Sequence, residues 1–235
     1  MTSASLPLPL SSDRPLAFIG GGNMASAIIG GLIQQGLPAS AIEVVEPFEP
    51  ARAALRQRFG IEAQAAAGPA LARAQLVVWA VKPQTFKEAA VEVRTHIDNA
   101  LHLSVAAGIR SDSIAGWLGT ERVVRSMPNT PALVGQGMTA LFARAAVTGA
   151  DRARVEQVIR PTGESLWVQD EPQLDAVTAL SGSGPAYVFL FLEAMIEAGT
   201  QMGLASDQAK QLAIATFAGS ARLARDSEEP PAVLR

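Results

Sequence analysis

Three glycines, Gly20, Gly21 and Gly22, run into Asn23 and Met24 directly after the apolar stretch Leu16–Ile19 and ahead of a helix-like segment, 23–35. A strand, a glycine turn and a helix start in that order can cradle the pyrophosphate of a dinucleotide. Gly20 serves the tight turn, and Gly22 removes a side chain where backbone must approach phosphate. Ala25 takes the third small position of the G-x-G-x-x-G pattern. A second chemical feature lies about twenty residues on, where Val45-Glu46-Pro47 ends the next apolar run. A carboxylate there accepts adenosine-ribose hydroxyls and repels a 2′-phosphate, which tilts preference toward NADH. Arg52 is close enough in sequence to receive a phosphate, so NADPH and NADH both stay open. Alone, the glycines also fit an ordinary turn and Glu46 a solvated loop charge.

Four further blocks carry polar or small residues at the ends of apolar runs: Ala80-Val81-Lys82-Pro83, Ala106-Ala107-Gly108, Arg125 to Pro131, and Ser181 to Tyr187. An open α/β sheet places its ligands at such strand ends. Each block has a plainer explanation: Pro83 stopping a strand, Ala106–Gly108 packing closely, Met127–Pro131 forming a rigid turn, Gly182 and Gly184 preceding a helix capped by Ser183.

The elements that must position these blocks follow from hydrophobic pattern. Strands are expected at 16–19, 42–46, 76–81, 101–106, 122–127, 138–142 and 165–168. Helices are expected at 23–35, 50–59, 68–73 and 85–96 between the early strands. Apolar strands alternating with helices indicate a doubly wound, mostly parallel α/β sheet of Rossmann type. Past Leu174 no strand is expected, only two long helices, 185–202 and 206–225. The resulting division is a disordered leader over 1–14, a dinucleotide-binding domain over 15–170 and a helical domain over 171–235. The apolar face of the first long helix, with Val188, Phe191, Leu192 and Met195, is broad enough to require another chain or domain.

Composition narrows the function classes. The chain has 235 residues, 49% of them hydrophobic and 17% charged, with net charge -3 and no Cys. That excludes disulfides and thiolate chemistry and argues against an electrostatic nucleic-acid binder. No basic n-region with a long apolar core opens the chain, and the run 186–192 is too short to span a bilayer before Glu193. A soluble cytoplasmic protein, without membrane or nucleic-acid partners, is expected. No metal-ligand cluster and no Ser-His-Asp arrangement is visible. The two histidines, His96 and His102, are expected at the surface.

Taken together, G-x-G-N-M, A-V-K-P, A-A-G, M-P-N-T-P, D-A-V-T-x-L-S-G-S-G-P-A-Y and the closing Glu-Pro-Pro-x-x-Leu-Arg resemble the pyrroline-5-carboxylate reductase family over 16–235. The resemblance implies reduction of a cyclic imine to L-proline with NADPH or NADH, in a homodimer or higher homo-oligomer joined through the C-terminal helices. It places Gly20, Gly21, Gly22, Asn23 and Met24 at the pyrophosphate. Ala80, Val81, Lys82, Pro83, Ala106, Ala107 and Gly108 would line the nicotinamide half. Met127 and Asn129 would stand where nicotinamide meets substrate, Thr178 would offer a hydroxyl to the imine nitrogen, and Glu171 would reach the substrate. Ser181, Gly182 and Ser183 would floor the substrate site at a helix start.

Two departures from the family pattern stand out. Ala67 occupies a position where some members use Asn for the cofactor. The usual continuation, a further helix and a loop reading roughly S-P-G-G-T-T that holds the substrate carboxylate, is not in this sequence. The helical domain therefore looks truncated, and low turnover is the expectation. Two other classes are weighed against this reading. A β-hydroxyacid dehydrogenase needs a lysine base on the helix after the glycine-rich start, and 185–202 contains none. A non-catalytic dinucleotide-binding module would bind NADH without oxidising it.

Overall fold

In the computed structural model, residues 14–97 and 99–235 are described, so residues 1–13 of the expected leader lie outside the described residues. Arg14 is tied in, its carbonyl accepting from Gln75 Nε2 at 2.9 Å.

Short apolar runs form the strands, because a strand buried on both faces needs no polar alternation. The first half comprises β1 (Leu16–Ile19), α1 (Asn23–Gln34), β2 (Ile42–Val45), α2 (Glu49–Phe59), β3 (Leu76–Trp79), α3 (Pro83–Val93) and β4 (Leu101–Ser104). Then come α4 (Ser111–Leu118), β5 (Val123–Met127), β6 (Gly137–Ala143), α5 (Gly149–Ile159) and β7 (Gly163–Trp167). The sheet order is β2-β1-β3-β4-β5-β6-β7. Strands β1 to β5 are parallel, β6 turns antiparallel to β5, and β7 is parallel to β6. The mostly parallel Rossmann-type sheet read from the sequence is the observed one.

Alternate residues feed two cores. Leu16, Phe18, Val44, Leu76 and Leu103 pack with Ile28 and Ile29 of α1, Leu55 of α2 and Val155 of α5. Ala17, Ile19, Val77 and Trp79 pack on the other face with Phe86 and Ala90 of α3 and Ile114 of α4. Helices α4 and α5 are not among the helices expected from the sequence. Helix α5 is closed by a reciprocal cap in which Thr148 and Asp151 satisfy each other's N–H groups.

Strand order reverses between β1 and β3, the place where such sheets bind ligands. There Gly20 N–H bonds to Val45 O and Ala80 N–H to Ile19 O, both at 2.8 Å. Gly20 has φ +94°, and a β-carbon on it would lie 2.6 Å from Ala80 O. Only glycine fits both the backbone conformation and the space.

His102 corrects the expectation of a surface residue. It sits on β4 in mid-sheet at 4% exposure, and its Nδ1 accepts from Trp79 Nε1 at 3.0 Å. Its second nitrogen therefore carries the proton. Burial, helped by the Arg122 charge, pushes its pKa down to about 4.

After β7 the chain is helical: α6 (Gln173–Val177), a π-helical turn (Thr178–Gly182), α7 (Gly184–Gln201), α8 (Ser206–Asp226) and α9 (Pro231–Leu234). Among the described residues no strand follows Trp167. The chain divides into two compact units at Gly182/Ser183. In the second unit α7 and α8 pair, with Phe191 edge-on to Phe217 at 5.4 Å between centroids. Gly199 lets α8 approach closely, since a β-carbon there would meet Ala209 at 3.1 Å. Tyr187, Phe189, Leu190 and Phe191 of α7 are nonetheless exposed. The helical run Gln173–Gln201, 29 residues containing an 18-residue window of mean hydropathy 1.3, is long and apolar enough by length and composition to cross a membrane. The sequence reading had considered only 186–192 for such a span.

Candidate active site

The glycine turn fits a dinucleotide phosphate by its own structure. Gly22 is the N-cap of α1, with no side chain capping the helix and no acidic residue in its first turn. No atom lies within 4 Å of where a Gly22 β-carbon would stand. A helix N-terminus with free N–H donors and open space before it is an anion site. Beside it, Ile19, Val45, Ala66, Val81, Thr85 and Ala89 contribute to a cavity of about 310 Å³, apolar enough for a flat ring.

Glu46 is held by the turn it was expected to serve. Its Oε2 accepts Gly21 N–H at 2.7 Å and its Oε1 accepts Phe48 N–H at 2.8 Å. A carboxylate has about four acceptor sites, so two remain for ribose hydroxyls. The guanidinium of Arg52 is engaged by the carbonyls of Glu46 and Pro47, at 2.9 and 2.7 Å, and by Glu49.

The other strand-end blocks follow the sheet's carboxyl edge. Ala80 and Val81 leave β3, and Lys82 and Pro83 open α3 as its N-cap and first residue. Ala106, Ala107 and Gly108 leave β4; Gly108 has φ +74°, and Ala106 N–H is held by Ser104 Oγ at 3.3 Å.

The end of β5 meets the π turn. Asn129 Nδ2 donates to the carbonyl and hydroxyl oxygens of Ser181, at 3.3 and 3.2 Å, while its Oδ1 accepts Met138 N–H at 2.9 Å. The amide is thus fixed in orientation by both of its ends. Met127 Cε occupies the space beside Gly182, 2.4 Å from where a β-carbon would be, so a larger residue there would displace the end of the Met127 side chain. Thr178 is half-buried in the same turn, and its hydroxyl donates to Leu174 O at 2.7 Å. With its proton spent inward, Oγ1 keeps its lone pairs for an N–H donor. Ser183 is the N-cap of α7 in the second unit, without a side-chain capping bond; its carbonyl accepts Ala186 N–H at 3.0 Å.

Glu171 is not open to solvent. At 8% exposure its Oε1 accepts Ser111 N–H at 2.6 Å and Arg125 Nη1 at 2.5 Å, and its Oε2 accepts Ser111 Oγ at 2.7 Å. Burial opposes its ionisation, but the Ser111 N–H and hydroxyl and the Arg125 guanidinium outweigh that and hold its carboxyl below the ordinary range. In this structure its polar contacts are with Ser111 and Arg125. Ser111, and the pairing of Arg125 with Glu171, escaped the sequence reading. The available signal was a lone arginine inside the apolar run Val123–Met127, since a buried charge requires a partner. The π turn, a distortion frequent at functional sites, left no such signal. Among the described residues no group of His, Cys, Asp or Glu could hold a metal ion.

Two family models match the chain: "NADP oxidoreductase coenzyme F420-dependent" over residues 15–108 and "Pyrroline-5-carboxylate reductase dimerisation" over 171–235. The pyrroline-5-carboxylate reductase of Pseudomonas aeruginosa is 45% identical over 228 residues, 96% of this chain and 83% of that protein. Among solved structures, the Coxiella burnetii pyrroline-5-carboxylate reductase superposes with a TM-score of 0.88 at 36% identity, covering 95% of this chain and 84% of that one. The Plasmodium falciparum pyrroline carboxylate reductase, solved with NADP bound, gives a TM-score of 0.84 at 27% identity, covering 95% and 83%. Glycine turn, π turn and relatives agree, and the chain belongs to the pyrroline-5-carboxylate reductase family.

Proposed function

We propose that this protein reduces the cyclic imine of 1-pyrroline-5-carboxylate to L-proline with NADPH or NADH, in the cytoplasm and as a homodimer or larger homo-oligomer. The carrying observation is the meeting of the β5 end with the π turn, Asn129 on Ser181 and Met127 on Gly182, at the carboxyl edge of the coenzyme-binding sheet.

The coenzyme, when bound, supplies a hydride, and the imine carbon receives it while the C=N pair moves to nitrogen. Gly20–Met24 would hold the pyrophosphate, Glu46 the ribose, and Ala80–Pro83 with Ala106–Gly108 the nicotinamide half. Thr178 Oγ1 is suited to accept the N–H of the protonated imine, which orients its carbon. The proton is already on the substrate, so the site needs no strong acid. Ser181 and Gly182 would border the substrate carboxylate, and Met127 would wall off water. Binding and orientation are the protein's share of such chemistry, worth on the order of 7–11 kcal/mol.

The exposed apolar side of α7 lies within the region matched by the dimerisation model, which favours a second copy of the chain as its cover. A β-hydroxyacid oxidation would need a lysine base on α7, and that helix has none. Incubating the protein with NADPH or NADH and either 1-pyrroline-5-carboxylate or a β-hydroxyacid panel tests the reading. Coenzyme oxidation with the imine alone is the expected result. Binding of NADH without turnover would make it a binding module, and reduction of NAD(P)+ by a hydroxyacid would replace the reading altogether.

A further inference from the structure

We propose that Glu171 is a positioning residue, the node that locks the three segments lining the hydride-transfer site, and that it does not touch substrate. The inference rests on the function proposed above. Glu171 lies two residues before α6, next to its N-cap Pro172, and so fixes where the segment with Thr178 and Ser181 begins. Its carboxylate takes the N–H and hydroxyl of Ser111, the first residue of α4, which follows the Ala106–Gly108 turn. It also takes the guanidinium of Arg125, two residues before Met127 and therefore on the same side of β5.

One buried carboxylate thus ties the start of the α6–π segment that carries Thr178 to the helix after the Ala106–Gly108 turn and to the strand that ends in Met127. The far end of the same α6–π segment is pinned just past the end of β5 by Asn129 and Ser181. Two anchors, one on β5 and one just past its end, hold a segment only eleven positions long (171 to 181), with Thr178 between them. Ser111 Oγ also accepts from Arg144 Nη1 at 3.1 Å, and Arg144 in turn pairs with Asp112 and Glu121. Ser111 is therefore held from both sides, and three of the roughly four acceptor sites of Glu171 are taken by protein groups.

The test measures kcat, substrate KM, NADPH Kd and the exchange rate of the Ser111 amide in wild type, Glu171→Gln, Arg125→Met and the double variant, per folded molecule. A positioning role predicts that kcat falls by between about tenfold and a hundredfold in Glu171→Gln, the scale of an ångström's misplacement. NADPH Kd should stay within about threefold, because pyrophosphate and ribose are held by α1 and Glu46. Ser111 exchange should quicken, and the double variant should be no worse than either single one. Glu171→Asp should recover part of kcat. If instead Glu171→Gln raises only substrate KM, and does so additively with Arg125→Met, Glu171 touches substrate and the proposal fails. Unchanged kcat and KM in the folded variant would leave a merely structural contact and also overturn it. A wild type with protected Ser111 but no imine-dependent oxidation would instead refute the reaction itself, and the positioning role with it.

Discussion

Glu46 at the end of β2 accepts the backbone N–H of Gly21 in the turn after β1, at 2.7 Å. The acid that would receive the ribose is thereby fixed relative to the turn that would receive the pyrophosphate. The coenzyme's two anchors are set before it arrives, and pre-ordering of that kind reduces the entropy lost on binding.

If Glu46 receives the ribose as proposed, it is a determinant of coenzyme choice. Its negative charge disfavours a 2′-phosphate, and Arg52, engaged by two carbonyls and Glu49, is not free to offset it. Glu46→Ser should raise the ratio of kcat/KM for NADPH over NADH by roughly tenfold or more, the scale of one charge-assisted hydrogen bond. Steady-state kinetics with both coenzymes checks this. A wild type that already prefers NADPH strongly would contradict it.

Gly22 and Gly20 separate binding from folding. Gly22→Val enters open space at an ordinary backbone angle, φ -70°, so thermal stability should change by no more than about 0.5 kcal/mol while dinucleotide affinity is lost. Gly20→Val should fail to fold stably, because its φ of +94° and the Ala80 carbonyl exclude a side chain. Calorimetry and coenzyme fluorescence titration on both variants distinguish the two roles.

Thr178→Val keeps the side-chain shape and removes the oxygen. It deletes the bond to Leu174 O and the lone pairs proposed for the imine N–H. Stability should fall by about 1 kcal/mol and kcat by about tenfold, the ordinary worth of single hydrogen bonds. NADPH affinity should not move. An unchanged kcat would remove Thr178 from the reaction.

His102 makes acid stability legible in one residue. Its folded-state pKa is lowered to about 4 while an unfolded chain titrates near the ordinary value of 6.5. Its contribution is therefore complete above the unfolded value and is lost as pH falls from 6.5 toward 4, by roughly 3 kcal/mol in all. Denaturation midpoints measured across that window should fall steadily in wild type. His102→Gln, which can still accept from Trp79 Nε1, should flatten the slope. Glu171 and Asp151, both held below the usual carboxylate range, add their own loss at the acid end.

The sheet was readable because strands covered on both faces are continuous apolar runs, and the coenzyme turn because only glycines serve it. The site's second half was readable only through resemblance. Nothing local in 171–182 announces a π turn or shows that Glu171 is consumed by Ser111 and Arg125, since those partners are 60 and 46 residues away. His102 was misplaced for a related reason: its position at the start of a short strand says nothing of the neighbouring strands that bury it. Helix α4 was missed because its buried stripe, Ile114, Ala115 and Leu118, spans barely two turns.

The central claim is that this protein delivers a hydride from the coenzyme to the imine carbon of the substrate. Reduction of 1-pyrroline-5-carboxylate with NADPH or NADH carrying deuterium at C4 on either face tests it directly, read by mass spectrometry and NMR of the product. The account predicts L-proline with one deuterium at C5, from one face of the coenzyme only. Proline without deuterium from either coenzyme face, or no proline at all while coenzyme binds, would contradict it.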